Sequence, residues 1–273
     1  GDWSSDVCSS DLYDNQQGNK STAFSAFAQL RYKPTEQIEV AAGGRYTHQN
    51  KELDTFYTFV NSNVAAGFRA VNDHLTGKKS EDNFSPEVTV SYKPSNNIMV
   101  YGAYKTGYLA GGFSNPGVPS RTSTIQSLTF QPETVDGFEV GLKGSALDNK
   151  LTGSLIGYRY VYKGLPLTSL VALAANQLTY LTQNAADTLA QGIELEATYR
   201  PAVGTRLHAT ASYNDAKFRS FPGAQCYAGQ TAATGCVAVT GSTTTTQNLT
   251  GKDVYRSPDW ILTAGVSQDF ALS

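Results

Sequence analysis

The chain has 273 residues, enough for one large β domain or at most two ordinary domains. Charged residues make up 16%, well under the roughly 25% of an average soluble domain, and the net charge is -2. That balance excludes non-specific nucleic-acid binding, no apolar run approaches the roughly 18 residues of a membrane helix, and the wealth of Tyr and Phe excludes a disordered chain.

Residues 1–12 read Gly-Asp-Trp-Ser-Ser-Asp-Val-Cys-Ser-Ser-Asp-Leu. They have neither the basic nor the apolar region of a signal peptide. They match no strand pattern and resemble translated adapter read-through, so an artefact or a disordered segment is expected. The β-barrel domain is expected over 13–273.

From residue 24 onward the apolar positions alternate with period two. Phe24–Tyr32 places Phe24, Ala26, Ala28, Leu30 and Tyr32 on one face and Ser25, Phe27, Gln29 and Arg31 on the other. Ile38–Tyr46, Phe84–Tyr92, Ile98–Tyr108 and Phe138–Leu147 repeat the pattern. Lys150–Lys163 is blurred, with Ile156, Tyr158, Tyr160 and Tyr162 in one row. Gln191–Arg200, Arg206–Phe218 and Trp260–Phe270 complete nine strands. Alternation of this kind predicts antiparallel strands with one apolar face.

The connections segregate by length. Lys33–Gln37, Lys93–Asn97, Asp148–Lys150 and Arg200–Thr205 are short, and the intervals 49–82, 109–131, 164–185 and 219–255 are long. Short and long alternate strictly, so every short turn falls at one end of the sheet. A soluble β-sandwich binding module could show the strand pattern but would not sort its loops this way. Outer-membrane barrels do, and about 9–11 tilted residues suffice to cross the hydrocarbon. Tyr32, Tyr46, Tyr92, Tyr199 and Tyr213 fall near strand ends on the apolar face, as an interfacial girdle requires.

The apolar face then meets lipid and the polar face lines the lumen. Gln29, Arg31, Glu39, Arg45, Glu87, Glu139, Lys143, Glu194, Glu196, Arg206 and His208 point inward. So many charges require water or a polar filling, because burying them dry is costly. Nine is an odd number, and an unclosed ladder leaves edges that lipid does not tolerate. Either a strand lies near Leu170–Leu181 or the chain is a fragment, and parity favours the fragment.

Several stretches resemble the TonB-dependent outer-membrane receptors. Phe130-Gln131-Pro132-Glu133-Thr134, continuing through Glu139, Gly141 and Lys143, resembles the family's "F-x-P-E-T-x-x-x-x-E-x-G-x-K" stretch. Ser85-Pro86-Glu87 followed by Tyr101 to Phe113 resembles its "Y-x-x-x-x-x-G-[FY]-x-x-G" strand. Asn184-Ala185 with Gly192, Glu194 and Glu196 is similar to its "N-A … G-x-E-x-E" strand, and Gly43-Gly44-Arg45-Tyr46 to its "G-x-R-Y" strand. The motifs occur in family order across residues 20–270. The resemblance implies part of a barrel of about 22 strands closed by a plug domain. It also implies a bacterial outer-membrane location and uptake of a small iron chelate or similar ligand, energised by the TonB complex. Ferric siderophore is the expected cargo. The plug, with its TonB contact region, and the closing strands are expected to be absent here. A passive pore or structural barrel without a plug is the alternative.

No cofactor, metal site or enzymatic centre is expected. His48, His74 and His208 lack zinc spacing, and His208 and Ser212 stand roughly 13 Å apart along a strand. Ligand capture falls to the long loops and upper lumen, with Tyr104, Tyr108, Phe113 and Arg121 as candidates, since aromatics and Arg suit iron chelates. Cys226 and Cys236 share the loop 219–255 in an oxidising compartment, where a disulfide is expected and two free thiols are the alternative.

Overall fold

In a computed structural model of the chain the described residues are 12–114, 119–172, 178–238 and 245–270. The expected artefact therefore lies outside the described residues except for Leu12, whose carbonyl accepts the Asn61 amide at 2.8 Å.

The strands in chain order are β1 (Tyr13–Tyr32), β2 (Ile38–Val60), β3 (Leu75–Ser95), β4 (Ile98–Leu109), β5 (Gly112–Phe113), β6 (Thr129–Phe130), β7 (Glu133–Ala146), β8 (Leu151–Ala172), β9 (Leu178–Tyr199), β10 (Thr205–Ser220), β11 (Ala224–Gln225), β12 (Val237–Ala238), β13 (Thr245–Gln247) and β14 (Trp260–Gln268). Nine form one antiparallel sheet in the order β1-β2-β3-β4-β7-β8-β9-β10-β14. Every strand pairs with its chain neighbour among these nine, which is the meander of an up-and-down barrel wall. The sheet is open, with β1 and β14 at its edges. The other strands form a three-stranded and a two-stranded patch. No second large sheet packs on the apolar face among the described residues, which removes the sandwich alternative.

Two of the expected long loops are mostly strand. β2 continues to Val60 and β3 begins at Leu75, so the connection shrinks to residues 61–74. β8 runs on to Ala172 and β9 begins at Leu178, the two paired to those residues, and no tenth strand joins the large sheet among the described residues. Beyond the membrane both faces of a strand meet water or protein, so the apolar alternation fades while the hydrogen-bonded ladder continues. The turn at Leu147, Asp148 and Asn149 runs through three consecutive positive φ values of 55°, 54° and 63°. Asp and Asn tolerate that region through their short polar side chains.

The register fixes which residues share a face. Tyr46 stands opposite Phe84, Tyr104 opposite Phe138, and Tyr213 opposite Trp260. These make an upper aromatic belt on the apolar face, and Tyr32, Tyr92 and Tyr199 make a lower one beside the short turns. From Tyr92 back to Phe84 is about 26 Å of strand, which a tilt near 40° reduces to about 20 Å. That approaches the height of a lipid-facing band. Between the belts the exposed side chains include Leu30, Val90, Val140, Leu195 and Leu262.

Candidate functional site

All eight charged residues central to the lumen reading share the polar face. Arg31, Arg45, Glu87, Glu139 and Lys143 occupy matching parity along β1, β2, β3 and β7. Glu194, Glu196 and Arg206 continue the row on β9 and β10. His208 stands opposite Gly265, and no group of three His, Cys, Asp or Glu side chains among the described residues could hold a metal.

The pairing assigns a face to the aromatic row of β8. Ile156 pairs with Gly141 and Glu194, Tyr158 with Glu139 and Gly192, and Tyr160 with Gly137 and Ala190. The row therefore belongs to the polar face. Glycines beside it let the rings lie flat. A Cβ at Gly137 would sit 2.3 Å from the Tyr160 ring, and one at Gly192 would sit 2.8 Å from the Tyr158 hydroxyl. Flattened in this way, Tyr160 donates to Glu139, and Tyr158 donates to Asn214 Oδ1 at 2.9 Å. Lys105 Nζ lies 2.7 Å from Glu139 Oε2, and Lys143 Nζ sits 5.6 Å from the Tyr101 ring centroid. The signal for this cluster was a Gly in register beside each Tyr, visible only once the pairing is known.

Above the upper belt, the chain after β4 turns onto the polar face as a strap. Lys51 Nζ donates to the Gly111 carbonyl at 2.6 Å, and Glu81 Oε2 accepts from the Gly111 amide at 2.9 Å and the Tyr108 hydroxyl at 2.8 Å. Burial and the Glu81 carboxylate push the Tyr108 hydroxyl up from its ordinary range. Phe113 and Leu128 pack with Leu53 of β2 and Leu181 of β9, flanked by Leu75 and Ile125. Ser114 Oγ accepts the Thr182 amide at 2.9 Å, and Asn184 exchanges bonds with the Gln131 backbone at 2.6 and 2.8 Å. The strap thus reaches from β2 to β9. At its other end Tyr57, fully buried, donates to the Pro119 carbonyl at 2.7 Å. Burial raises the Tyr57 hydroxyl as well.

The second long loop leaves β10 and packs Phe218, Phe221 and Ala224 against Ala186, with Leu165 and Leu167 of β8 alongside. Cys226 and Cys236 are joined within it, with Cα atoms 5.8 Å apart.

The four ligand candidates do not form one constellation. Tyr108 and Phe113 belong to the strap, where Tyr108 is held by Glu81 and Phe113 is buried in the apolar cluster. Arg121 lies on the strap with an exposed side chain, its amide bonded to the Gly67 carbonyl at 3.1 Å. Tyr104 is separated from them. It points to the apolar face, with its ring centroid 5.0 Å from that of Phe138.

Comparison with known proteins follows the same lines. A family model described as "TonB dependent receptor-like, beta-barrel" matches residues 2–272. The ferric yersiniabactin uptake receptor FyuA from Yersinia pestis superposes with a TM-score of 0.62 at 15% identity, over 94% of this chain and 33% of that one. The siderophore receptor PiuA from Acinetobacter baumannii gives 0.61 at 17%, over 92% of this chain and 32% of that one. The copper transporter OprC gives 0.52 at 15%, over 73% and 29%. The chain thus spans about a third of the length of the receptors it resembles. An antiparallel wall with an apolar belt outside, a charged face inside and long loops folded over that face is a membrane barrel wall, and this chain belongs to the TonB-dependent receptor family of the bacterial outer membrane.

Proposed function

We propose that this chain is wall and loop of an energised importer whose cargo is a ferric siderophore. It is a receptor and not an enzyme. The observation that carries the reading is the strap, which spans the polar face from β2 to β9 at the long-loop end. A wall with a fixed cover at its outer mouth suits selective capture, where an open pore would leave the mouth clear. FyuA, named as a ferric yersiniabactin uptake receptor, and PiuA, named as a siderophore receptor, support the cargo. Arg121 is the exposed cation of the strap and would meet an anionic chelate first, with Tyr108 and Phe113 holding the strap's shape behind it. Uptake would draw on the TonB complex, through parts of the receptor outside this sequence.

The test is uptake of radio-iron by iron-starved cells carrying or lacking the receptor gene, each with TonB intact or deleted. Uptake that needs both genes and a particular siderophore supports the reading. Entry that ignores TonB would leave the passive pore in its place. The likeness to OprC makes copper the second cargo to include in the same panel.

A further inference from the structure

Beneath the root of the strap two lysines face each other. Lys51 of β2 stands directly opposite Lys79 of β3 in the ladder, on the polar face. Like charges in that relation destabilise a sheet. The Lys79 side chain is only 14% exposed, and a covered ammonium needs a partner. That partner is Glu81, two residues along β3 on the same face. Its side chain is 11% exposed, and its Oε1 lies 2.7 Å from Lys79 Nζ. Among the described residues Lys51 forms no ion pair. Its ammonium donates instead to the Gly111 carbonyl at 2.6 Å. Two cations thus share one anion, which leaves one positive charge in surplus.

The same three side chains hold both ends of the strap. Glu81 Oε2 accepts the Gly111 amide and the Tyr108 hydroxyl, and Lys79 Nζ donates to Gln131 Oε1 at 3.2 Å. Gly112 pairs with Phe130, and the Ser114 amide donates to the Leu128 carbonyl at 2.7 Å, so the two ends are joined to each other as well. Only glycine allows so close an approach. A Cβ at Gly111 would lie 2.8 Å from Glu81 Oε1, and one at Gly112 would lie 3.2 Å from Lys51 Nζ. All of these contacts run between β2, β3, the end of β4 and the strap, with β1 beyond them, so the cluster does not depend on the open edges of the sheet.

We propose that Lys51, Lys79 and Glu81 form an electrostatic catch that an anionic ligand releases. Glu81 holds the facing lysines and the strap root together. Lys51 is the movable member, because its partner in the closed state is a neutral carbonyl. An anion offers it a charge-assisted bond, about twice as strong as a neutral one. The anion gains that bond only when Lys51 leaves Gly111, so it binds the released state better and shifts the strap towards it. The inference rests on the receptor reading above and deepens it, since it says how a negatively charged cargo would loosen the cover of the mouth.

The test is hydrogen exchange on the complete receptor, purified from outer membranes in detergent. The reporters are the amides of Ser114 and Thr182, which lie on the strap contacts away from the charges. Amides of the β2–β3 ladder below Tyr46 report the wall. In the wild type, inorganic phosphate should speed exchange at both reporters at least threefold over chloride of equal ionic strength, and K51M should abolish that response. E81Q, which leaves two lysines without an acid, should speed both reporters at least tenfold with the wall unchanged. Adding K51M to E81Q should bring them back to within threefold of the wild type, because the net charge is then the original one. A wild type indifferent to phosphate, or a K51M receptor that still responds, overturns the proposal. So does an E81Q effect that K51M fails to reverse, which would leave Glu81 a plain hydrogen-bond acceptor. If E81Q does not assemble, the phosphate response of the wild type against K51M decides alone. Failure of iron uptake in wild-type cells would count against the siderophore reading and leave the exchange result as it stands.

Discussion

Replacing Leu128 with Ala should unlatch the strap without unfolding the wall. Leu128 is 2% exposed and packs with Leu53, Phe113 and Leu181, so its side chain joins the strap to both β2 and β9. Truncating a buried Leu costs about 2–5 kcal/mol, the spread reflecting how far the site collapses. At 1.4 kcal/mol per tenfold, that raises the open population of the strap by about 30- to 4,000-fold. The nine-stranded ladder does not include Leu128 and should remain intact. Gly77 offers an independent route to the same result from the opposite side. A Cβ there would lie 2.3 Å from Ile125 Cδ1 and 3.1 Å from the Phe113 ring, so Gly77→Ala wedges the strap from beneath. Hydrogen exchange on the folded receptor is the assay. The amides of Gly111 and Thr182, which donate to Glu81 and Ser114, report the latch. Amides in the β2–β3 ladder below Tyr46 report the wall. Both variants should speed exchange at Gly111 and Thr182 and leave the wall unchanged. Normal protection at those two amides in both variants would refute the claim that the apolar cluster holds the strap.

Further outcomes follow from other parts of the structure. Val140→Arg, on the apolar face between the belts, should cost about 2–4 kcal/mol and reduce assembly of a heat-modifiable barrel, whereas Thr210→Lys on the polar face should assemble normally. Cys226→Ser should release a loop whose closure stabilises by about 2–3 kcal/mol in the chain-entropy view, read as faster limited proteolysis between residues 226 and 236. Asp215, near the outer end of β10, is held below the usual carboxylate range by a hydrogen bond from Lys217 and another from Gln191. Its folded value is depressed, so its stabilisation is present above the unfolded value and fades as pH falls through the folded one. Carboxyl NMR should place its midpoint below that of an unstructured Asp, and Lys217→Met should move it upward.

The sequence by itself determined the wall. Period-two alternation in Phe24–Tyr32 or Gln191–Arg200 survives because one face meets lipid and the other water, and that contrast is written residue by residue. The segregation of short and long connections likewise needs no structure. Legibility ended where the contrast did. Above the membrane β2 and β3 run on for a dozen residues or so with Leu53, Thr55 and Tyr57 buried under a strap, so no simple alternation marks them. The β8 tyrosines are blurred in the sequence for a related reason. A Tyr is apolar in its ring and polar at its tip, and only the pairing with Gly137 and Gly192 decides that the tip reaches Glu139 and Asn214. Tyr104, Tyr108 and Phe113 were ligand candidates as aromatics leading into a long loop. Tyr104 and Tyr108 share strand parity, but β4 parts from β3 beyond Lys105 and the chain then bends at Ala110, so one went to lipid, one to a hydrogen bond and one to a core.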